Sequence, residues 1–320
     1  MTVLLTGAHG TVGTAVTTGS AYEYVLLDRE EPAATLGDGT PHPHRDRETI
    51  LLDVGDPGTP ESLAAVLEDE GIEAIVHLAG SPAVSSSYEA VERNNVRGTR
   101  TVLEAAARAG VETVVFASSN HAVGMYEREH APALYEPDYA LTVDHESQPR
   151  PDSDYGASKV AGEAWCRRYA ELEGIDCYAL RIGSVRNPVH DHPFGDAERA
   201  VARGDCERGD PEYEEQVARM RCTWLSRRDC AALVDACLDD GLTGEREADG
   251  VTGERRADGV TREGGGDRND EAALKTAAGG AFEVLYGISD NPNAWFDIER
   301  ARERVGYEPV DSGNAMQEPP

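Results

Sequence analysis

Short apolar runs alternate with helically spaced apolar residues along most of the 320-residue chain. Apolar runs bounded by turn residues predict strands within residues 2–6, 24–27, 49–52, 74–80, 111–117, 177–182 and 282–286. Helical spacing predicts helices over residues 88–109, 153–174 and 226–239. Strands that alternate with helices in this way are typical of α/β proteins, so we expect a doubly wound parallel sheet.

The pattern is interrupted in three places. Residues 125–151 have no clear period and predict a long loop, which could serve as a lid, and residues 183–221 are polar and irregular. The nine residues from Gly244 are then repeated almost unchanged from Gly253, within a stretch too polar to pack. We therefore expect a main domain over residues 1–184, a small C-terminal portion over residues 185–240 and 280–312, and a flexible insertion over residues 241–279.

Acidic residues outnumber basic ones by 60 to 30, which gives a net charge of −30. Such a surface repels phosphate backbones and anionic membranes, so neither nucleic acid nor a membrane is an expected partner. The acidic residues are spread along the chain, and lysine occurs only at Lys159 and Lys275. Dispersed carboxylates repel one another less at high salt, which predicts a halophilic protein from a salt-rich cytoplasm.

The first residues and the cysteines bear on the expected cellular location and on metal binding. The first residues run straight into a glycine turn without a charged leader, which favours a cytoplasmic location. Six cysteines include no Cys-x-x-Cys pair and no metal-ligand spacing with histidine. We therefore expect free thiols and no bound metal.

A glycine-rich turn follows the first predicted strand at once, with the sequence Gly7-Ala8-His9-Gly10-Thr11-Val12-Gly13. In this context Gly7 allows a tight turn, Gly10 allows a pyrophosphate to approach, and Gly13 allows close packing of helix on strand. The amides at the helix start, around Thr11 and Val12, then face the phosphates. The turn predicts a dinucleotide site in a Rossmann domain.

Acidic and small residues extend this site along neighbouring strands. The second strand ends in Asp28, a carboxylate suited to the adenosine ribose and unfavourable to a 2′-phosphate, which favours NAD over NADP despite Arg29 next to it. Asp53 and Val54 end the third strand and could either flank the adenine or merely close the strand. The fourth strand ends in small residues that would let a dinucleotide approach the backbone, namely Leu78, Ala79 and Gly80.

Tyr155 and Lys159 stand four positions apart in the predicted helix over residues 153–174. Residues at this spacing share one helix face, so the phenol and the ammonium are expected side by side. A nearby cation favours the phenolate, and such a tyrosine can take a proton from an alcohol when a hydride acceptor is close. Ser119 lies just past the fifth strand, where ligands of open α/β sheets bind, and could hydrogen-bond the reacting hydroxyl.

With the glycine turn, Asp28, Ser119, Tyr155 and Lys159 in this order, the chain resembles the extended short-chain dehydrogenase/reductases. The resemblance implies that the serine positions the substrate oxygen and the tyrosine exchanges the proton. It also implies that the lysine binds the nicotinamide ribose and lowers the tyrosine pKa. Asn95 matches the asparagine that this family carries in a helix near the cofactor.

Shorter motifs are similar to those of the uronate dehydrogenases, and still more to those of the haloarchaeal NAD-dependent glucose-6-phosphate dehydrogenases. The motifs are Ala117-Ser-Ser-Asn-His-Ala-Val-Gly124, Arg150-Pro-Asp-Ser-Asp-Tyr155, Leu180-Arg-Ile-Gly-Ser184, Arg219-Met-Arg-Cys-Thr-Trp-Leu-Ser226 and Tyr286-Gly-Ile-Ser-Asp-Asn291. The resemblance implies a sugar site formed by Asn120, His121, Ser184 and Arg219 around Ser119. Arg221 is a further cation that would suit a phosphate.

The resemblance implies NAD-dependent oxidation of an aldose at its anomeric carbon to a lactone, with glucose 6-phosphate as the expected substrate. Oxidation of glucuronate or galacturonate is the first alternative. A sugar-nucleotide epimerase or dehydratase is the second, and a non-catalytic NAD-binding regulator is the third. Whether the chain forms a homo-oligomer stays open.

Overall fold

The computed structural model of the chain describes residues 2–243 and 279–320. Within them, seven strands form one sheet in the order β3-β2-β1-β4-β5-β6-β7, and all neighbouring strands are parallel. The strands are β1 (Val3–Thr6), β2 (Tyr24–Asp28), β3 (Ile50–Leu51), β4 (Ala74–His77), β5 (Thr113–Ser119), β6 (Asp176–Ile182) and β7 (Phe282–Gly287). The strand order reverses direction between β1 and β4, which confirms the doubly wound parallel sheet and puts a ligand crevice at that switch point.

Helices cover both faces of the sheet, and α7 and α8 pack on each other in a separate cluster. The helices in the described residues are α1 (Thr11–Gly19), α2 (Thr59–Asp69), α3 (Tyr88–Val91), α4 (Gly98–Ala109), α5 (Gly124–His130), α6 (Asp154–Glu173), α7 (Gly195–Arg203), α8 (Pro211–Thr223), α9 (Arg227–Thr243) and α10 (Glu299–Val305). Neighbouring strand residues point to opposite faces, so Leu5 packs in the core with α1 and α9, whereas Leu4 packs in the core with α2, α4 and α6. The strands are apolar on both faces because both are covered.

Helix α6 carries the tyrosine and lysine pair, and its ends match the predicted boundaries. The Ser153 side chain accepts a hydrogen bond from the amide of Gly156 at the N-terminus, and Gly174 ends the helix with φ +78°. A buried ion pair joins this helix to β6, because Nε and Nη2 of Arg181 donate to the two oxygens of the Glu163 carboxylate at 2.9 Å. The helix is therefore fixed against the strands that carry the reacting edge.

Two stretches predicted as irregular are packed structure. Residues 125–151 contain most of α5 and the 3₁₀ turn Ala133–Tyr135, and Leu134 and Val143 are buried against Trp295. Residues 183–221 contain α7 and most of α8. The prediction of a long loop over residues 125–151 was therefore wrong, because helices this short do not give a clear apolar period in the sequence.

Three further predictions have different outcomes. The helix predicted over residues 88–109 is divided by a π-helical turn, Glu92–Arg97, that separates α3 from α4. The insertion predicted over residues 241–279 lies mostly outside the described residues, and the predicted domain boundaries stay a prediction. No helix in the described parts of the chain combines the length and the apolarity needed to cross a bilayer.

Candidate active site

Two joined cavities open along the carboxyl edge of the sheet. The larger, of about 670 Å³, lies at β1, β2 and β4, and the smaller, of about 340 Å³, lies at β5 and β6. They share five lining residues, which are Thr11, Val12, Leu78, Gly80 and Pro82. The shared wall makes them one cleft across the switch point, where doubly wound sheets bind dinucleotides.

The glycine-rich turn forms the floor of the larger cavity. Gly7 has φ +71°, and a Cβ there would lie 2.6 Å from the amide nitrogen of Ala79. A Cβ on Gly13 would lie 2.4 Å from the carbonyl oxygen of Ala8. A Cβ on Gly10 would meet only the Gly7 carbonyl oxygen, at 3.4 Å, so its free side faces the cavity. The three glycines thus have the three different constraints that a pyrophosphate cradle requires.

Asp28 is held in the same cavity by backbone amides. The amide of His9 donates to Asp28 Oδ2 at 2.9 Å, and the amide of Arg29 donates to Oδ1 at 2.8 Å. The Arg29 side chain instead pairs with Glu30 at 3.4 Å, at an exposed position. The fixed carboxylate fits a ribose with free hydroxyls better than one with a 2′-phosphate.

Asp53 and Val54 also line this cavity, together with Leu78, Ala79 and Gly80. Burial alone would raise the pKa of the Asp53 carboxyl, but hydrogen bonds from Arg93 and from the Gly55 amide lower it overall. Asp53 therefore stays ionised and oriented at the far end of the cleft, where the adenine is expected.

Asn95 does not face the cavity in the way its motif suggests. Its side chain donates to Ser158 Oγ at 2.9 Å and accepts from the amide of Ser81 at 2.7 Å, so it joins α6 to the segment after β4. The preceding Asn94 lines the cavity instead. The π-helical turn changes which residues face inward, and spacing for a regular helix could not show this.

Ser119, Tyr155 and Lys159 all line the smaller cavity, at the carboxyl end of β5. Lys159 is next to the wall that the two cavities share, because a Cβ on Gly80 would lie 3.9 Å from Lys159 Nζ. The Ser119 hydroxyl is close enough to Tyr155 to influence its titration, and the Lys159 ammonium lies 5.6 Å from the centre of the Tyr155 ring. Lys159 Nζ donates to the carbonyl oxygen of Ala117 at 2.8 Å. The hydroxyl and the ammonium both line the cleft, as the sequence predicts.

The protonation of this pair differs from the simple expectation of an acidified phenol. Burial raises the pKa of Tyr155, the hydrogen bond with Ser119 opposes that shift, and the charge of Asp152 adds to it. Burial also lowers the pKa of Lys159 to about 8. Desolvation of Tyr155 thus outweighs any attraction between its phenolate and the Lys159 ammonium. These two residues do not by themselves lower the pKa of the tyrosine.

His121 and Asp152 form a second titratable pair beside Tyr155. His121 Nδ1 lies 2.8 Å from Asp152 Oδ2, and the His121 ring meets the Tyr155 ring edge-on with centroids 5.8 Å apart. Burial alone would raise the pKa of Asp152, but the contact with His121 lowers it overall. The ionised carboxylate fixes the imidazole, which borders the smaller cavity with Asn120 and Ser184.

Two arginines border the sugar side, and each is held by a carboxylate on another element. Arg219 Nε donates to Glu127 at 2.5 Å, and Arg186 Nε donates to Asp196 at 2.5 Å. Arg221 lies elsewhere, since it donates to the carbonyl oxygen of Met316 at 3.2 Å and lies over the Phe194 ring. The suggested phosphate role of Arg221 is therefore not supported by its position.

Several cleft residues were not predicted from the sequence. In the larger cavity they include His9, His42, Asn94 and Asn187. His9 stands inside the glycine motif, which was a usable signal, whereas His42 is 33 residues away. The sequence predicted no metal ligands, yet His9, His42 and His44 come together at one edge of the larger cavity.

Comparison with known proteins agrees with this geometry. The chain is 33% identical over 313 residues to the NAD-dependent glucose-6-phosphate dehydrogenase of Haloferax volcanii, covering 97% of this chain and 93% of the relative. It is 29% identical to the uronate dehydrogenase of Pseudomonas syringae pv. tomato, covering 98% and 84%. The crystal structure of glucuronic acid dehydrogenase from Chromohalobacter salexigens has the same fold, with a TM-score of 0.62 at 24% identity over 98% and 85% of the two chains.

Residues 3–246 match a family described as the NAD dependent epimerase/dehydratase family. That range includes the glycine-rich turn, Asp28, Ser119, Tyr155 and Lys159, and it ends just beyond α9. The match and the full-length relative together show that the chain belongs to the NAD dependent epimerase/dehydratase family.

Proposed function

We propose that this NAD-dependent enzyme oxidises an aldose at its anomeric carbon to the corresponding lactone. The observation that carries the proposal is that Ser119, Tyr155 and Lys159 line the smaller cavity together, with Lys159 next to Gly80 at its junction with the dinucleotide cavity. A sensor of NAD would need only the larger cavity. A phenol, a hydroxyl and an ammonium at the junction supply groups for proton transfer as well.

In the proposed reaction, Tyr155 removes the proton of the anomeric hydroxyl and Ser119 hydrogen-bonds the same oxygen. Bound NAD supplies the hydride acceptor. Loss of the hydroxyl proton and of the hydride from the anomeric carbon leaves a carbonyl there, which is the lactone. Lys159, at the junction of the cavities, holds positive charge beside the phenol and would bind the nicotinamide ribose.

For the substrate, we propose glucose 6-phosphate. Arg219 borders both the smaller cavity and a neighbouring depression of about 250 Å³ that also contains Arg199 and Arg203. A sugar in the smaller cavity with its far end toward Arg219 would bring a phosphate to this group of guanidinium ions. The similarity to a glucose-6-phosphate dehydrogenase along nearly the whole chain supports the same choice.

A uronate is the alternative, because its carboxylate needs only one guanidinium and Arg219 alone could supply it. The similarity to a uronate dehydrogenase favours this reading. The two substrates differ in reach, since a phosphate ester extends beyond the ring carbon to which a uronate carboxylate is attached. The depression with Arg199 and Arg203 therefore separates the two proposals.

The test is NAD reduction in multimolar KCl with glucose 6-phosphate, glucose, glucuronate, galacturonate and UDP-glucose assayed in parallel. We expect glucose 6-phosphate to give the highest kcat/KM, with a lactone as product. The variant Arg203→Gln should raise the KM for glucose 6-phosphate and leave that for glucose unchanged. Arg208→Gln is the matched control, because this exposed arginine pairs with Glu198 outside the depression.

Higher kcat/KM for glucuronate than for the phosphate, together with no selective effect of Arg203→Gln, would replace the sugar phosphate by the uronate. Turnover of UDP-glucose alone would reject aldose oxidation altogether.

A further inference from the structure

The three histidines at the edge of the larger cavity form a compact cluster from two separate segments. His9 belongs to the glycine-rich turn, and His42 and His44 belong to the segment before β3. Their ring centres lie 5.4, 5.4 and 5.2 Å apart, and one ring nitrogen from each lies within 4.8 Å of the others. His42 and His44 are buried at 5% and 1% exposure. From this arrangement we propose that His9, His42 and His44 bind a divalent transition metal ion, with Zn²⁺ as the best fit.

The ring nitrogens have a spacing that suits a metal. Two nitrogens bound to one tetrahedral Zn²⁺ at its usual bond length lie roughly 3.4 Å apart. His9 Nδ1 and His44 Nδ1 lie 3.1 Å apart. Only a small outward movement of the two rings is needed to place an ion between these atoms.

The opposite nitrogens of all three rings are already held by oxygen atoms. His9 Nε2 lies 3.3 Å from Thr49 Oγ1, His44 Nε2 lies 2.7 Å from Thr17 Oγ1, and His42 Nε2 lies 3.3 Å from the carbonyl oxygen of His9. Metal-binding histidines usually donate their other ring N–H to such groups, which fixes the tautomer and the ring orientation. Here these contacts leave His9 Nδ1 and His44 Nδ1 facing each other as donors to an ion, and a ring nitrogen of His42 completes the set.

Two existing hydrogen bonds must be replaced. One joins His9 Nδ1 and His44 Nδ1, and in the other the amide of His44 donates to His42 Nδ1 at 3.1 Å. The Asp28 and Glu31 carboxylates interact attractively with a positive charge at His9, whereas burial and the nearby Arg47 oppose it. Three imidazoles without a thiolate favour Zn²⁺, Co²⁺, Ni²⁺ or Cu²⁺ over Mg²⁺ or Ca²⁺.

The site would join the segment before β3 to the cofactor turn. His9 and His42 both line the larger cavity, and the amide of His9 also orients Asp28. Three protein ligands leave a fourth tetrahedral position for water or an oxygen of the cofactor. The proposal does not depend on the substrate or on turnover.

The test titrates the metal-free full-length protein in KCl with Zn²⁺ against a chromogenic chelator, and with Co²⁺ followed by visible absorption. We expect one equivalent to bind, with the intense Co²⁺ bands of a four-coordinate site. His44→Gln should weaken binding by at least about tenfold, and so should Thr17→Val, which keeps all three imidazoles. The matched controls, His145→Gln at an exposed histidine and Cys206→Ser at the partly exposed thiol, should bind like the wild type.

Circular dichroism of each variant checks that it is folded. If His44→Gln does not fold, the zinc affinity of Thr17→Val decides whether the histidines bind the ion. The proposal is overturned if no equivalent binds to the wild type. It is equally overturned if binding is lost in Cys206→Ser or His145→Gln and kept in Thr17→Val. Because metal binding is measured without sugar or NAD, its result can be interpreted even if the proposed sugar oxidation is not found.

Discussion

The two halves of the cleft are built from different material. In the NAD half, five glycines line the cavity, and two of its four carboxylates, Asp28 and Asp53, accept hydrogen bonds from backbone amides. In the sugar half, the charged side chains that line the cavity are all cationic, and Arg186 and Arg219 are each oriented by a carboxylate on another element. The first half depends on close backbone approach, whereas the second depends on ion pairs between elements. A substitution should therefore change either cofactor binding or sugar binding, except at the junction of the two halves.

The largest effect is expected at the junction itself, from Tyr155→Phe. Without the phenol oxygen no group accepts the substrate proton, so kcat should fall by about 10²- to 10⁴-fold. NAD affinity, measured by calorimetry, should change little because the cofactor half is intact. The control Tyr88→Phe alters a tyrosine that is 64% exposed and should be fully active. Turnover near the wild-type rate in Tyr155→Phe would reject the proton-transfer role.

Lys159→Met, also at the junction, should abolish useful turnover and yet stabilise the fold. Burial lowers the pKa of Lys159 from 10.5 to about 8, so at pH 7 the folded protein holds an ammonium that the unfolded chain solvates better. After allowance for the lost hydrogen bond to Ala117, we expect a gain of about 2 kcal/mol in the free energy of unfolding.

The pH dependence of that gain distinguishes charge from packing. The depressed folded-state pKa means that the wild type carries the full penalty below pH 8. The penalty disappears as pH rises from 8 through 10.5, because the lysine is then neutral in both states. Urea unfolding at pH 7, 8, 9 and 10 should show the two proteins converging. A difference that is constant over this range would assign the gain to packing.

Gly10→Ala should affect the cofactor half alone. The backbone at Gly10 has φ −72°, which alanine adopts readily, and a Cβ there meets only one carbonyl oxygen at 3.4 Å. Stability should therefore stay within about 0.5 kcal/mol of the wild type. The methyl group points toward the expected pyrophosphate, so the Kd for NAD should rise about tenfold. Gly58→Ala, where a Cβ meets nothing within 4 Å, is the control, and an unchanged Kd in Gly10→Ala would contradict the cradle.

The smallest effect is expected from Glu127→Gln in the sugar half. Arg219 would lose the carboxylate that orients it, so the KM for the sugar substrate should rise about fivefold, or roughly 1 kcal/mol, while the KM for NAD stays constant. Glu129→Gln, two residues along α5, removes the partner of Arg150 and serves as the matched control. Equal changes in both KM values would show that the two halves are not separable.

The same contrast explains what the sequence could predict. The glycine turn and Asp28 lie within the first 28 residues, in one strand-turn-helix-strand unit, and local spacing was enough to identify their site. The boundaries of α6 were predictable for a similar reason, because Ser153 and Gly174 act through neighbouring backbone groups. The placement of Tyr155 beside Lys159 also follows from local helix geometry.

Features that depend on distant partners were not predictable in this way. Glu127 and Arg219 are 92 residues apart, and nothing in either segment indicates the other. Asn94, and not Asn95, lines the larger cavity. Both residues lie in a π-helical turn, which spacing for a regular helix does not detect. The histidine cluster needs a contact across 33 residues or more. Sequence patterns thus predict local chemistry better than the ion pairs that orient it.

The cysteines have a practical consequence. Cys206 is partly exposed between α7 and α8, and the other five thiols are buried. A maleimide fluorophore should therefore label the native enzyme at one position. That position follows Arg203 by three residues, so the dye would lie near the depression proposed to bind the phosphate. A change in its fluorescence would then report sugar binding without turnover.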